Sequence, residues 1–387
     1  PSDRKDELFK LNRIAGNLTI EESLDLNDIS GLHNLRSIGG DLRVVNNPSL
    51  NNAIQIGNDI DGETDQDKSG KYVALNASGS VVAIGAPFND GNGNNSGHVR
   101  VFGWDGNAWT QRGADIDGED ENDESGSSIS LSDSGDIIAI GAKYNDGSST
   151  DSGHVRVFKW DGSSWVQRGE DIDGEFSYDY DDQNSESNFS CQNNGNTSYV
   201  SLNTDGSVIG IGAYCNDGAG TNRGHTRIFH WNGTKWIQLG DDIDGEADWD
   251  YSGMSVSLSG DGKLIAIGAP LNDGNGQLSG HVRVYYWTGS SWVQRGNDID
   301  GEAINDESGS SISLSRDGSV IAIGAPFNDG NGDNSGHVRV YHWSGSAWVK
   351  RGEDIDGESI KDTSGTSVSL SQNGSFVAIG AEANTGN

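Results

Sequence analysis

The pentapeptide Asp-Ile-Asp-Gly-Glu occurs six times in this chain, beginning at Asp59, Asp115, Asp171, Asp242, Asp298 and Asp354, at intervals of 56, 56, 71, 56 and 56 residues. A fixed period of this size is the signature of a solenoid, a propeller or an array. It governs any functional reading as well, because almost every residue type that could do chemistry recurs once per copy. The repeat runs from about residue 53 to 387, so one repeat domain preceded by a short N-terminal piece (residues 1–52) is expected.

The copy from Ser252 to Glu302 shows what one module contains. Ser255-Val256-Ser257-Leu258-Ser259 alternates polar and apolar, Gly260-Asp261-Gly262 supplies a hairpin turn, and Leu264 to Ala269 reads as a buried strand. After a loop rich in Asn, Asp and Gly, His281 to Trp287 alternates again. A turn at Thr288 to Ser291 leads into a fourth strand, Trp292 to Arg295. Four short antiparallel strands repeated radially describe a propeller blade; a linear solenoid has shorter, parallel rungs. With 57 Gly, 5 Pro and 1 Met, the composition suits short strands and tight turns. The expected fold is an all-β propeller of about 56-residue blades, six or seven in number.

The formal net charge is −34, which excludes attraction to nucleic-acid phosphates or anionic lipid and makes cations the expected small partners. The same charge also reads simply as a solvated acidic surface. No run of 18 apolar residues exists, so membrane insertion is not expected. The chain opens on Pro1 and stops at Asn387 inside a copy, which reads as a segment of a longer polypeptide.

Each full copy carries two Trp five residues apart, Trp104/Trp109, Trp160/Trp165, Trp231/Trp236, Trp287/Trp292 and Trp343/Trp348. Flanking a hairpin turn, they are placed to meet across strands three and four or to wedge between blades. A ring of sugar-stacking platforms is the functional alternative.

Ser-Gly-x-Ser-Val-Ser-Leu-Ser, then Ile-Gly-Ala-Pro (Ile84 to Pro87, Ile267 to Pro270, Ile323 to Pro326), then Gly-His-Val-Arg-Val, resembles the FG-GAP repeats of integrin α-subunit-type propellers. The resemblance implies a seven-bladed, extracellular propeller used in adhesion or ligand binding. The chain departs from it where that family carries a calcium loop, Asp-x-Asp-x-Asp-Gly between strands one and two. Here only a bare turn such as Gly260-Asp261-Gly262 remains, so that metal site does not transfer.

Residues 14–20 (Ile-Ala-Gly-Asn-Leu-Thr-Ile) recur 24 residues later as Ile38 to Val44. This resembles the last rungs of a receptor L domain, a leucine-rich-repeat-like solenoid. Two rungs cannot bury a core alone. A second reading lays residues 40–57 on strands three and four of a blade, closing the ring against the unfinished last copy.

Each pentapeptide is followed by a further Asp eight residues beyond its first. This gives four carboxylates per junction: Asp59, Asp61, Glu63 and Asp67; Asp115, Asp117, Glu119 and Asp123; Asp242, Asp244, Glu246 and Asp250; Asp298, Asp300, Glu302 and Asp306; and Asp354, Asp356, Glu358 and Asp362. Hard oxygens around a Gly-permitted bend suit Ca²⁺. The same residues equally make a turn, with Asp side chains accepting backbone N–H bonds. His98, His154, His225, His281 and His337 each precede an Arg by two residues. Their fivefold equivalence points to hydrogen bonds or ion pairs with the acidic turns rather than to catalysis.

Copy three is the exception, with about 15 extra residues (176–190) and both cysteines. Cys191 enters strand one and Cys215 leaves strand two, so antiparallel pairing brings them to one end and a disulfide in an oxidising compartment is expected. Sequons at Asn17, Asn76, Asn94, Asn188, Asn196, Asn232 and Asn373 permit N-glycosylation. Together these features lead us to expect a non-enzymatic, secreted or cell-surface protein that adheres to, recognises or assembles with an extracellular protein, a glycan or copies of itself. A lectin-like propeller is the alternative, and a polysaccharide-active enzyme a more distant one.

Overall fold

The computed structural model describes residues 18–21, 42–45, 56–148, 150–175 and 199–384. It divides into two compact units, Pro1–Asp59 and Ile60–Asn387. In the first unit Leu18–Glu21 and Leu42–Val45 pair in parallel, Leu18 opposite Leu42 and Glu21 opposite Val45. That is the register of the 24-residue repeat.

The described residues of the second unit form six successive blades of a β-propeller. In blade IV the strands are Ser255–Leu258, Leu264–Ala269, His281–Trp287 and Trp292–Gln294, each antiparallel to the next, within one residue of the expected limits. Blades I, II, III and V repeat this order from Tyr72, Ser125, Tyr199 and Ser311. Blade VI is described by Ser364–Leu370 and Val377–Ala381.

A fifth strand was not anticipated. Two residues of every full copy's pentapeptide, for example Ile299–Asp300, pair back onto the start of the same blade's third strand, with His281 opposite Asp300 and Val282 opposite Ile299. The fourth strand covers only the far half of strand three, so the near half is an open edge that the pentapeptide completes.

The sequence pattern follows from what each strand touches. The second strand is apolar on both faces because a neighbouring blade covers each one. One apolar core forms at each interface, as where Val282, Val284 and Ile299 of blade IV meet Leu314, Ile321 and Ile323 of blade V. The serines of strand one point at the next blade: Ser201, Ser257 and Ser313 hydroxyls accept the Leu258, Leu314 and Leu370 N–H groups at 2.9–3.0 Å. In blades I and VI, Val73, Leu75 and Phe376 are exposed.

The Trp pairs do both things expected of them as packing groups. Trp160 and Trp165 face each other across strands three and four, centroids 5.4 Å apart, and Trp165 Nε1 donates to the Arg112 carbonyl of the preceding blade at 2.8 Å. Arg112 in turn stacks 4.9 Å from the Trp160 ring.

The pentapeptide glycine is required for a different reason than a turn. A Cβ on Gly301 would lie 1.9 Å from the Ser279 carbonyl oxygen, so only glycine lets the two backbones approach, and Gly301 N donates to the Gly280 carbonyl at 2.7 Å.

Candidate metal centres between the blades

Strand pairing decides which junction residues meet. Because Ile299–Asp300 folds back on His281, the first Asp of that pentapeptide, Asp298, is carried to the His281 imidazole. Arg283, two residues on and on the same strand face, reaches the preceding junction. Its Nη2 donates to the Asp244 carbonyl at 2.6 Å and its Nη1 lies 3.5 Å from Glu246 Oε1. The preceding Glu and the following Asp thus converge on one His.

Five such clusters exist among the described residues: Glu63, His98 and Asp115; Glu119, His154 and Asp171; Glu175, His225 and Asp242; Glu246, His281 and Asp298; Glu302, His337 and Asp354. In each, one ligand atom per residue lies within 4.8 Å of the others. The imidazoles are almost fully buried, His154 at 1 % exposure. Burial, reinforced by the neighbouring Arg, pushes His154, His225 and His281 down to about 4, so these rings are neutral near pH 7. Burial also lifts the Glu119 and Glu246 carboxyls above their ordinary range, against the pull of Arg156 and Arg283.

The four carboxylates expected to form one calcium set per junction are dealt out to different places. The first Asp (Asp115, Asp242, Asp298, Asp354) joins the His of its own blade, and Gln111, Gln238 and Gln294 or Lys350 bind its other side. The second (Asp117, Asp244, Asp300, Asp356) sits exposed on the short strand; the Asp61, Asp117, Asp244 and Asp300 carbonyls accept from the next blade's Arg. Glu63, Glu119, Glu246 and Glu302 belong to the following cluster, while Asp59 and Glu358 enter none of the five.

The trailing Asp (Asp67, Asp123, Asp250, Asp306, Asp362) is buried and has the turn role. Asp306 Oδ2 accepts from Ala303 N and from Asn328 Nδ2, both at 2.9 Å, and Asp67, Asp123 and Asp362 are held by the same two kinds of donor. Burial places Asp123 above its usual range; at Asp67 burial is outweighed by hydrogen bonds from Thr64 and Asn89.

Asn76 is buried, and its Oδ1 accepts the Ser80 and Val81 N–H groups at 2.8 and 2.9 Å. Asn94, Asn232 and Asn373 are exposed. Asn17, Asn188, Asn196, Cys191 and the insertion at 176–190 lie outside the described residues.

Sequence reasoning passed over two groups. Asp171 and Glu175 of the irregular copy were left aside as ligands, although the copy keeps the same His register. The second group stands at one end of the first strands and is built around two lysines, each found in one copy alone. Lys143 Nζ is 3.0 Å from Glu124 and 4.5 Å from the Tyr144 ring, and Lys71 Nζ is 5.2 Å from the Phe88 ring. Burial and Lys143 lower the Lys71 ammonium's pKa, burial and Glu124 raise that of Tyr72, and burial pushes Tyr199 up to about 12. Aligning the copies column by column reveals them: Lys71 replaces Ser127, Met254, Ser310 and Thr366, and Lys143 replaces Pro87, Pro270 and Pro326.

Residues 243–285 and 298–341 each match the FG-GAP repeat family model. With the repeated blades, these matches define an FG-GAP-like β-propeller. No curated protein matches the sequence. Among solved structures, hydrazine synthase of Kuenenia stuttgartiensis superposes with TM-score 0.51 at 12 % identity, over 83 % of this chain and 75 % of that one. Two Bacteroides proteins provisionally assigned as 6-phosphogluconolactonases are also similar. The B. uniformis protein gives 0.54 at 11 % identity, over 80 % of this chain and 77 % of its own. The B. fragilis protein gives 0.51 at 14 %, over 80 % and 76 %. At these identities the likeness concerns the fold.

Proposed function

We propose that this chain is a non-enzymatic propeller of the extracellular space or cell surface that recognises or assembles with another protein. One observation carries this reading. Each Glu, His, Asp and Arg set that could do chemistry is repeated at equivalent positions and engaged in holding a blade to the connection before it, as Arg156 does with Glu119 and the Asp117 carbonyl. An enzyme needs one set set apart from the others. FG-GAP repeats are typical of extracellular proteins, and a Cys191–Cys215 disulfide and glycans at Asn94, Asn232 and Asn373 fit the same compartment. Specific contact falls to the features that do not repeat: Lys71 and Lys143, which group with Glu124 and Tyr72, and the 176–190 insertion.

Glycan recognition by the tryptophans is less favoured, because Trp165, Trp236, Trp292 and Trp348 each spend their indole N–H on a neighbouring blade's carbonyl. The test is a turnover screen over lactones and polysaccharides run beside a glycan array. No turnover and no glycan signal are expected. Multiple turnovers of any substrate would overturn the non-enzymatic reading, and specific array binding lost in Lys71→Ala/Lys143→Ala would transfer the chain to the lectins.

A further inference from the structure

We propose that the five Glu-His-Asp clusters are interblade sites for a divalent transition ion of the zinc class, each tying one blade to the connection that precedes it. The cluster around His154 carries the argument. Its ring is 1 % exposed, and neither ring nitrogen has a hydrogen-bond partner. Nδ1 is aimed at two carboxylates, 3.7 Å from Glu119 Oε2 and 3.8 Å from Asp171 Oδ2. These distances are too long for direct hydrogen bonds, and an unmet buried nitrogen is costly.

The distances suit ligands of a common ion. Two donors each about 2.1 Å from a tetrahedral centre stand roughly 3.4 Å apart, and opening the angle to roughly 125–130° gives the 3.7 and 3.8 Å seen at His154. The same separations recur at His98 (3.9 and 3.9 Å), His225 (3.6 Å to Asp242) and His281 (3.9 Å to Glu246).

The donor set selects the metal class. One imidazole and two carboxylates suit zinc-like ions, whereas Ca²⁺ asks for six to eight oxygens. Two carboxylates also balance the ion's charge. The neighbouring groups are those that orient ligands: Arg156 Nη1 holds the other Glu119 oxygen at 3.5 Å, and Gln167 donates to the other Asp171 oxygen at 2.6 Å. Three protein ligands leave a fourth position for water, and a groove of about 620 Å³ lined by Asp298, Glu302 and Arg339 gives solvent access beside two of the clusters. Since Glu119 lies in the connection from blade I and His154 in blade II, a bound ion would cross-link them.

The experiment uses the full chain, stripped with chelator and dialysed. Zn²⁺ and Co²⁺ are titrated separately at physiological salt, with Ca²⁺ as comparison, and bound metal is counted by elemental analysis. The expected result is up to five Zn²⁺ per chain, a raised melting temperature, and a Co²⁺ spectrum with the intense visible bands of a four-coordinate site. Glu119→Gln, a change at a half-exposed carboxylate that the fold should tolerate, should lose one equivalent, as should His154→Gln if it folds. Fewer than one bound Zn²⁺ per chain at tens of micromolar free metal overturns the proposal. So does a stoichiometry unchanged by Glu119→Gln, or binding of Ca²⁺ in preference to Zn²⁺.

Discussion

The guanidinium of Arg316, in the first hairpin turn of blade V, lies 2.9 Å from the carboxylate of Asp133 in the corresponding turn of blade II. The two blades lie three apart around the axis. The turns between them form a backbone relay: Ala77 N donates to Asp133 O, Asp133 N to Thr204 O, Thr204 N to Gly260 O, Gly260 N to Arg316 O and Arg316 N to Gln372 O, at 2.7–3.3 Å. Gln372 also accepts from Arg316 at 3.2 Å. One end of the axis is therefore drawn together by the turns, while Lys71, Glu124 and Lys143 stand at the opposite end of the first strands.

Because Arg316 is about half exposed, its pair with Asp133 is screened by solvent. Asp133→Ala should cost no more than about 1 kcal/mol in urea denaturation, an effect that shrinks as salt is added. A salt-independent loss well above that would show that the relay depends on this side chain.

Gly301→Ala should be among the most damaging single-methyl changes available, about 3 kcal/mol or more, since the new carbon would overlap the Ser279 carbonyl. Gly289→Ala provides the control. Its added carbon meets nothing within 4 Å, but φ is +100°, so it should cost about 1–2 kcal/mol. Denaturation midpoints of the two variants side by side give the comparison, and equal losses would refute the close-approach argument.

Glu307 carries the clearest pH dependence. Burial pushes its carboxyl up to about 7, whereas the unfolded chain releases that proton near 4.5. The folded state therefore binds the proton more tightly, so this residue's contribution is fully present below about pH 4.5 and is lost as pH rises through 7. Glu307→Gln should flatten stability between pH 5 and 7 and raise it at pH 8 by on the order of 2 kcal/mol. A variant with the parent's pH profile would show that Glu307 is not the group responsible. The equivalent Glu124 has Lys143 at 3.0 Å, a partner that blade V replaces with Pro326.

Trp165→Phe keeps the ring packing but removes the indole N–H from the Arg112 carbonyl. We expect a loss of about 1–2 kcal/mol, read by chemical denaturation, with no change in the far-ultraviolet circular dichroism. A neutral outcome would mean that water satisfies the carbonyl as well.

The sequence by itself determined the module. The Ser-x-Ser-Leu alternation, the Gly-Asp-Gly turn and the doubly apolar Leu264 to Ala269 run fixed the strands of blade IV to within a residue, because strand period and turn chemistry are local properties. It also placed Trp160 and Trp165 on either side of a tight turn, where they are positioned to meet, while the structure decided that they pack. It could not say where the carboxylates go. Read along the chain, Asp298, Asp300, Glu302 and Asp306 look like one site. In space, pairing of Ile299–Asp300 onto His281 sends Asp298 back into its own blade, passes Glu302 forward to His337, and buries Asp306 under Asn328. That division depends on which backbones hydrogen-bond across the blade, a long-range choice that no spacing of four acidic residues encodes, and the tertiary structure alone made it.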